Sequence, residues 1–263
     1  LCMIGFISYL VNGISLGSVY AIIALGYTMV YGIAKMLNFA HGDVIMIGAF
    51  VVFSTVSGAG LPPVIGVLIS VVACTLLGMA IERIAYKPLR KASKLAVLIT
   101  AIGVSYFLQN VALLIYGANT KSFTSVVTIE PLTLADGALV ISGETIVTVA
   151  ACIIIMIGLM TFMKYSKSGR AMLAVSEDSG AAQLMGVNVN STIALTFAIG
   201  SALAAIAGVL LCSSYPSLTP YTGSMPGIKA FVAAVLGGSG SIPGAFIGGV
   251  LLGVIAVLGQ DSV

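Results

Sequence analysis

The chain has 263 residues, is 59% hydrophobic and only 7% charged, and has a mean hydropathy of +1.18; a soluble domain carries ~25% charged residues, so this is an integral membrane protein built as one domain, residues 1–263. The net charge of +3 arises from Lys and Arg gathered in short loops, which gives no ground for a nucleic-acid partner. One histidine and four scattered cysteines (Cys2, Cys74, Cys152, Cys212), none in a CxxC pair, exclude a clustered metal site, and no cofactor is expected.

A helix needs ~20 apolar residues to cross the hydrocarbon core. Long stretches carry no charge: 1–34, 44–81, 95–120, 145–163, 179–228 and 230–260. Within them the predicted spans are 6–34, 36–57, 62–82, 95–116, 145–163, 191–213 and 227–259. The fold class is therefore all-α, a polytopic transmembrane bundle of seven to nine segments, some broken or re-entrant. The first apolar run is too long for a cleavable signal peptide, and no basic region precedes it.

The second span opens with "NFAHGDVIMIGAF", residues 38–50, which places His41 and Asp43 inside an apolar run. A charge at the bilayer centre costs roughly 2.5–3.5 kcal/mol on insertion scales, so neither group should face lipid. Positions i and i+2 of a helix point to nearly opposite sides, whereas Asn38 and His41 can share a face. Two arrangements satisfy this: a helix with two polar sides inside a bundle, or a broken helix lining a cavity. Asn38, Gly42 and the turn-prone "HGD" favour the break. Asn38, His41, Gly42 and Asp43 are the candidate substrate-path residues. A hydrogen-bonded kink and a position near a membrane surface are the competing roles.

Orientation follows the basic residues. Loop 83–94 holds Arg83, Lys87, Arg90, Lys91 and Lys94, and loop 164–170 holds Lys164, Lys167 and Arg170, together eight of the eleven basic residues. Two spans separate these loops, so both fall on one side, the cytoplasm. Segment 117–144 then lies outside, with Lys121 against Glu130, Asp136 and Glu144, and "ALVISGETI" suggests a short external hairpin.

The second basic loop continues as an amphipathic segment, 164–190. Ala171, Ala174 and Val175 lie near one face, followed by Ala181, Ala182, Leu184 and Met185. Ser166 or Ser168 can cap its start, "SEDSG" divides it into two helices, and Gly186 can end the second. The last span, 227–259, is too long and glycine-rich for one straight helix and is expected to break around Gly237–Gly244, "GGSGSIPG". Gly240, Gly244 and Gly248 recur every four residues, and Gly249 and Gly253 add a pair, as on a helix face that packs closely. Gly237, Gly238, Gly240, Gly244 and Gly248 are the candidate gate or packing glycines.

No catalytic constellation can be assembled. GxSxG and HExxH are absent, and the glycine-rich stretch lacks the Lys-Ser/Thr end of a phosphate-binding loop. The chain is not read as an enzyme, and any ATP must be used by another subunit.

Four blocks carry a resemblance: "NGISLGSVYAIIALGYTMVYGIAKMLNFAHGDVIMIGAF" (12–50), "ERIAYKPLR" (82–90), "SGRAMLAVSEDSGAAQLMGVNVNSTIALTFAIGSALAAIAGVL" (168–210) and "PGIKAFVAAVLGGSGSIPGAFIGG" (226–249). With these the chain resembles the shorter of the two permease subunits of ATP-binding-cassette importers for branched-chain amino acids. The resemblance implies a second, related permease, two cytoplasmic ATPase subunits, an extracytoplasmic substrate-binding protein and a bacterial cytoplasmic membrane. It further implies that residues 168–190 seat in a cleft of an ATPase, through Gly169, Arg170, Ala174, Glu177, Asp178, Ala181, Ala182 and Gly186. Leu173 stands where the family often has a second Arg, which weakens a charge-based docking. The family usually continues with a further helix and polar tail, so the chain is expected to be truncated after residue 263. Importers of urea and short amides share the "NxAHG" block and are the alternative within the family. An ion-coupled transporter would have Asp43 as its sole coupling carboxylate, and neither it nor a solute channel would use a docking segment.

Overall fold

Uncharged runs of Leu, Ile, Val, Ala and Met leave backbone polar groups no partner in lipid except one another, so such runs close as helices. The computed structural model describes residues 2–90, 92–134, 139–238 and 240–260. Lys91 and Asp136 lie outside the described residues.

Helix α1 covers Cys2–Ala34, α2 His41–Phe53 and α3 Pro63–Ile81. A π turn, Ser54–Gly58, prolongs α2, and another, Glu82–Tyr86, prolongs α3 into a 3-10 turn at Lys87–Leu89. Helix α4 covers Lys94–Tyr116, α5 Gly143–Tyr165, α6 Lys167–Glu177, α7 Ser179–Leu184 and α8 Val189–Ser214. Helices α9 (Ser224–Leu236) and α10 (Ile242–Gln260) complete the bundle. Four short strands lie between helices: β1 (Lys121–Ser122) pairs antiparallel with β4 (Ser217–Leu218), and β2 (Leu132–Leu134) with β3 (Leu139–Ile141). Among the described residues, seven helices are long and apolar enough to cross a membrane, and α9 is a shorter apolar helix.

The predicted spans match these helices, with two corrections and one expected break confirmed. The span expected at 36–57 begins as a helix only at His41, because 35–40 is not helical. The span at 227–259 is two helices, divided at 237–241 as its glycines led us to expect. The external hairpin is formed by 132–134 and 139–141 rather than by "ALVISGETI". Ser142, in the middle of that stretch, instead caps α5 by accepting the Thr145 N–H.

Two clusters of loop residues fix the ends of the bundle. At the basic end, Ala34, Lys35, Arg90, Lys94, Val175, Ser179 and Val189 line one cleft. At the other end, Tyr9, Asn12, Ser142, Glu144, Tyr215 and Val257 line another. Helix α1 therefore runs toward the basic end, an orientation that charge counting could not assign. Helices α1, α2 and α8 form the buried centre around Ile22, Ile23, Leu25, Ile45, Phe50 and Phe197. Helices α3, α4 and α5 surround it and expose apolar side chains such as Leu68, Phe107 and Ile154.

Helix α10 packs on α1 at backbone distance: a Cβ on Gly253 would overlap the Gly17 backbone, and one on Gly249 the Ala21 backbone. The other face of α10 meets α9, where Gly237 and Gly244 press against each other and Gly248 against the Ala233 carbonyl. Gly240 does not share this face as its spacing suggested. It lies before α10, in the turn, with φ +107°, and sits against Gly32 near the end of α1. Gly238 has φ +91°. These left-handed positions let the chain reverse within a few residues.

Candidate functional site

The site arises where two helices begin inside the bundle rather than at its ends. Helix α1 stops at Ala34, and Lys35 takes a positive φ of 54°. Residues 36–40 then climb back along α1. Asn38 fixes this segment: its side-chain oxygen accepts the Tyr86 hydroxyl at 2.9 Å, and its carbonyl accepts the His41 N–H at 3.2 Å. Tyr86 is itself fully buried against Phe197. Helix α2 starts at His41, whose ring lies beside Gly26 of α1 and Gly200 of α8. Gly26 lies eight residues before α1 ends, and eight residues of helix rise about 12 Å. The start of α2 is thus well inside the bundle.

Helix α9 begins at the same depth. After β4 the chain turns inward, and the Gly223 backbone meets the Gly42 backbone with no room for a Cβ on Gly223. With 13 residues α9 is about 20 Å long, too short to cross alone. Helices α4, α5, α6, α7 and α8 all have side-chain caps, from Ser93, Ser142, Ser166, Asp178 and Asn188. The two internal starts have none: Ala40 precedes α2 and Gly223 precedes α9. Each internal start leaves a partly positive helix end within the membrane.

Asp43 stands between these ends. Its Oδ1 accepts the Gln109 amide at 2.8 Å, and the same amide lies 3.3 Å from the hydroxyls of Ser105 and Ser224. Gln109 therefore joins α2, α4 and α9. Asp43, Gln109, Ser105, Ser224, Gly42 and Tyr27 share a cavity of about 300 Å³ with apolar walls from Phe39, Ile102, Tyr106 and Ile228. A second cavity, about 190 Å³, adjoins it through Tyr27 and includes Asn38, Tyr31, Met36 and Leu37. A third, about 500 Å³, shares Tyr31, Met36 and Leu37 and reaches Arg90 and Lys94 at the basic end. The three form a series from mid-depth to one face.

The four path candidates divide accordingly. Gly42 and Asp43 line the first cavity and Asn38 the second. His41 lines none of the three. Its ring is 1% exposed, with its centroid 4.5 Å from that of Tyr27. Sequence reasoning passed over Tyr27, Tyr86, Ser105, Gln109 and Ser224. The signal for two of them was present: Ser105 and Gln109 are polar, four residues apart, within an otherwise apolar span, and so share a helix face.

At the basic end, Glu82 pairs with Arg90, which also reaches the Asn190 side chain. This is the sole ion pair among the described residues, and it ties the end of α3 to the start of α8. The proposed coupling residues lie on α6, α7 and the turn after them. Ser166, not Ser168, caps α6 by accepting the Gly169 N–H at 2.8 Å. Asp178 ends α6 and caps α7, accepting the N–H groups of Gly180 at 2.7 Å and Ala181 at 3.0 Å. Gly186 ends the second helix with φ +85°.

The inward face of α6 is Gly169, Met172 and Val175, and Ala174 is exposed, contrary to the expected face. The three-residue spacing of 169, 172 and 175 places them on one stripe against α5, where Gly169 meets the Phe162 and Met163 backbones. Arg170, Glu177 and Ala181 are exposed. On α7 only Ala182 is buried, and Leu184 and Met185 are 90% and 85% exposed. Gly237, Gly238, Gly240, Gly244 and Gly248 line none of the three cavities.

A family profile described as branched-chain amino acid transport system / permease component matches residues 9–263. The high-affinity branched-chain amino acid transport system permease protein BraD of Pseudomonas aeruginosa is 45% identical, over 97% of this chain and 87% of its own length. The corresponding permease proteins LivH of Salmonella typhimurium and Escherichia coli are each 44% identical, over 96% of this chain and 85% of their own. No solved structure matches the chain. With a profile covering nearly every residue and relatives similar almost end to end, this chain belongs to the family of permease components of branched-chain amino acid transport systems.

Proposed function

We propose that this chain is a membrane-spanning permease subunit of an ATP-binding-cassette importer that passes leucine, isoleucine and valine across the bacterial cytoplasmic membrane. Residues 1–263 act as a single permease domain, with 164–190 as its cytoplasmic coupling segment. The observation that carries this reading is the series of three adjoining cavities, which leads from the Asp43 level between α2, α4 and α9 to the basic end. Its walls mix apolar side chains with a few fixed polar groups, as suits a small amphipathic solute.

The assembly comprises a second homologous permease, two cytoplasmic ATPase subunits and an extracytoplasmic binding protein. The exposed apolar faces of α4 and α9, which flank the first cavity, meet the second permease, so that the path runs between the two chains. Leu184 and Met185 project from the cytoplasmic side beside Arg170, Glu177 and Ala181 and enter an ATPase cleft. ATP binding draws the ATPases together, α6 and α7 move with them, and the cavity series changes the side to which it opens. This chain does no covalent chemistry. Gly237, Gly244 and Gly248 hold α9 to α10, so the pair swings as one body, while Gly238 and Gly240 form the turn between them.

The test is uptake of labelled leucine in cells lacking their own importers, with the full-length gene expressed beside its ATPases, second permease and binding protein. Accumulation that disappears on ATP depletion is expected. Uptake that follows an ion gradient after ATP depletion would overturn the proposal.

A further inference from the structure

Resting on the reading that amino acids pass the first cavity, we infer that Asp43 receives the α-ammonium group of the passing amino acid while the starts of α2 and α9 face its carboxylate. The cavity presents the carboxyl group of Asp43 beside two partly positive helix ends. A zwitterionic α-amino acid carries the complementary pattern.

Among the described residues no cationic side chain pairs with Asp43, because the one ion pair is Glu82–Arg90. The Asp43 carboxyl group is held in place: Gln109 donates to one oxygen at 2.8 Å and is itself braced by Ser105 and Ser224. A carboxylate positioned by a neighbouring amide can accept a charge-assisted hydrogen bond without reorganising. Tyr27 and Tyr106 also line this cavity, and aromatic rings attract an ammonium group. Ile102 and Ile228 supply the apolar wall that a branched side chain needs. An uncharged amide fits the same volume but gives Asp43 no cation beyond its Gln109 bond, so the permease itself discriminates against it.

The experiment uses a diazirine analogue of leucine, with ammonium and carboxylate intact, in the complete importer in proteoliposomes. Photolysis is followed by mass spectrometry of the peptides carrying Tyr106 and Ile228. The native chain is labelled there. Asp43→Asn, which keeps the shape and an acceptor for Gln109, loses labelling by about tenfold or more, the effect of removing a hydrogen bond to a charged group. Asp43→Glu retains labelling.

In the native complex, isopentylamine, which has the ammonium group but no carboxylate, suppresses labelling, and uncharged isocaproamide at the same concentration does not. Equal labelling of the native chain and the Asn variant, or equal competition by the two compounds, would overturn the ammonium assignment and leave the path standing. A native chain left unlabelled while the binding protein is labelled would instead remove the path, and this inference with it.

Discussion

His41 and Asp43 stand two positions apart on α2, about 200° around its axis. That angle separates their environments. His41 points between α1 and α8 and fills the space that Gly26 and Gly200 leave. Asp43 points to α4 and α9 and lines the cavity. Replacing His41 by Ala opens a void beside Tyr27. The expected cost is about 2–4 kcal/mol, as for large-to-small substitutions in packed cores. It should appear as a lower Tm of the detergent-solubilised complex, with uptake falling only as far as folded protein does. An unchanged Tm would refute the wedge role. The opposed directions of His41 and Asp43 followed from helical geometry, but the break expected at "HGD" lies earlier: residues 35–40 are the non-helical ones, and His41–Asp43 form the first turn of α2. The partner of Asp43 was not legible, because Gln109, and the Ser224 that braces it, lie 66 and 181 residues away along the chain and meet only when α4 and α9 pack.

At the scale of elements, glycine decides which helices touch and where they reverse. The break between α9 and α10 was readable from "GGSGSIPG", since glycine and proline cannot extend a helix cheaply. The depth at which α9 starts was not readable. It depends on the Gly42–Gly223 contact between distant segments. Gly244→Leu forces a side chain into the Gly237 carbonyl and parts α9 from α10. Leucine uptake should be abolished, and wild-type uptake at wild-type expression would contradict the packing described.

The proposed coupling segment makes a separate prediction. Changing both Leu184 and Met185 to Glu should leave the two permeases co-purifying while the ATPases are lost, because these side chains support nothing within the chain. ATPases retained at the native ratio would show that α7 is not their seat. The division of this segment at Asp178 and its end at Gly186 were legible from capping chemistry. Its inward face was not, because a short helix is oriented by what α5 offers it rather than by its own weak pattern.

Across the whole molecule, hydropathy was enough to place the seven long apolar helices within the expected seven to nine segments, and the two basic loops lie at the end of the bundle that carries α6 and α7. The same charges could not orient α1, whose run carries none. Orientation came instead from the residues gathered at each end of the bundle. The resulting picture is a bundle with two helix starts meeting at mid-depth, the Asp43 carboxyl group between them, and a series of cavities descending to the face that carries α6 and α7.

The most direct test of that picture is thiol accessibility on the α9 wall of the first cavity. Ile228→Cys is placed in a background lacking the four native cysteines and assembled into the complete importer in proteoliposomes. A membrane-impermeant methanethiosulfonate reagent is applied, and labelled leucine uptake is measured. The account predicts that the introduced thiol is modified, that uptake is then blocked, and that leucine with its binding protein and ATP alters the rate of modification. Complete modification with uptake unchanged would contradict it, since the cavity at Asp43 would not be the route.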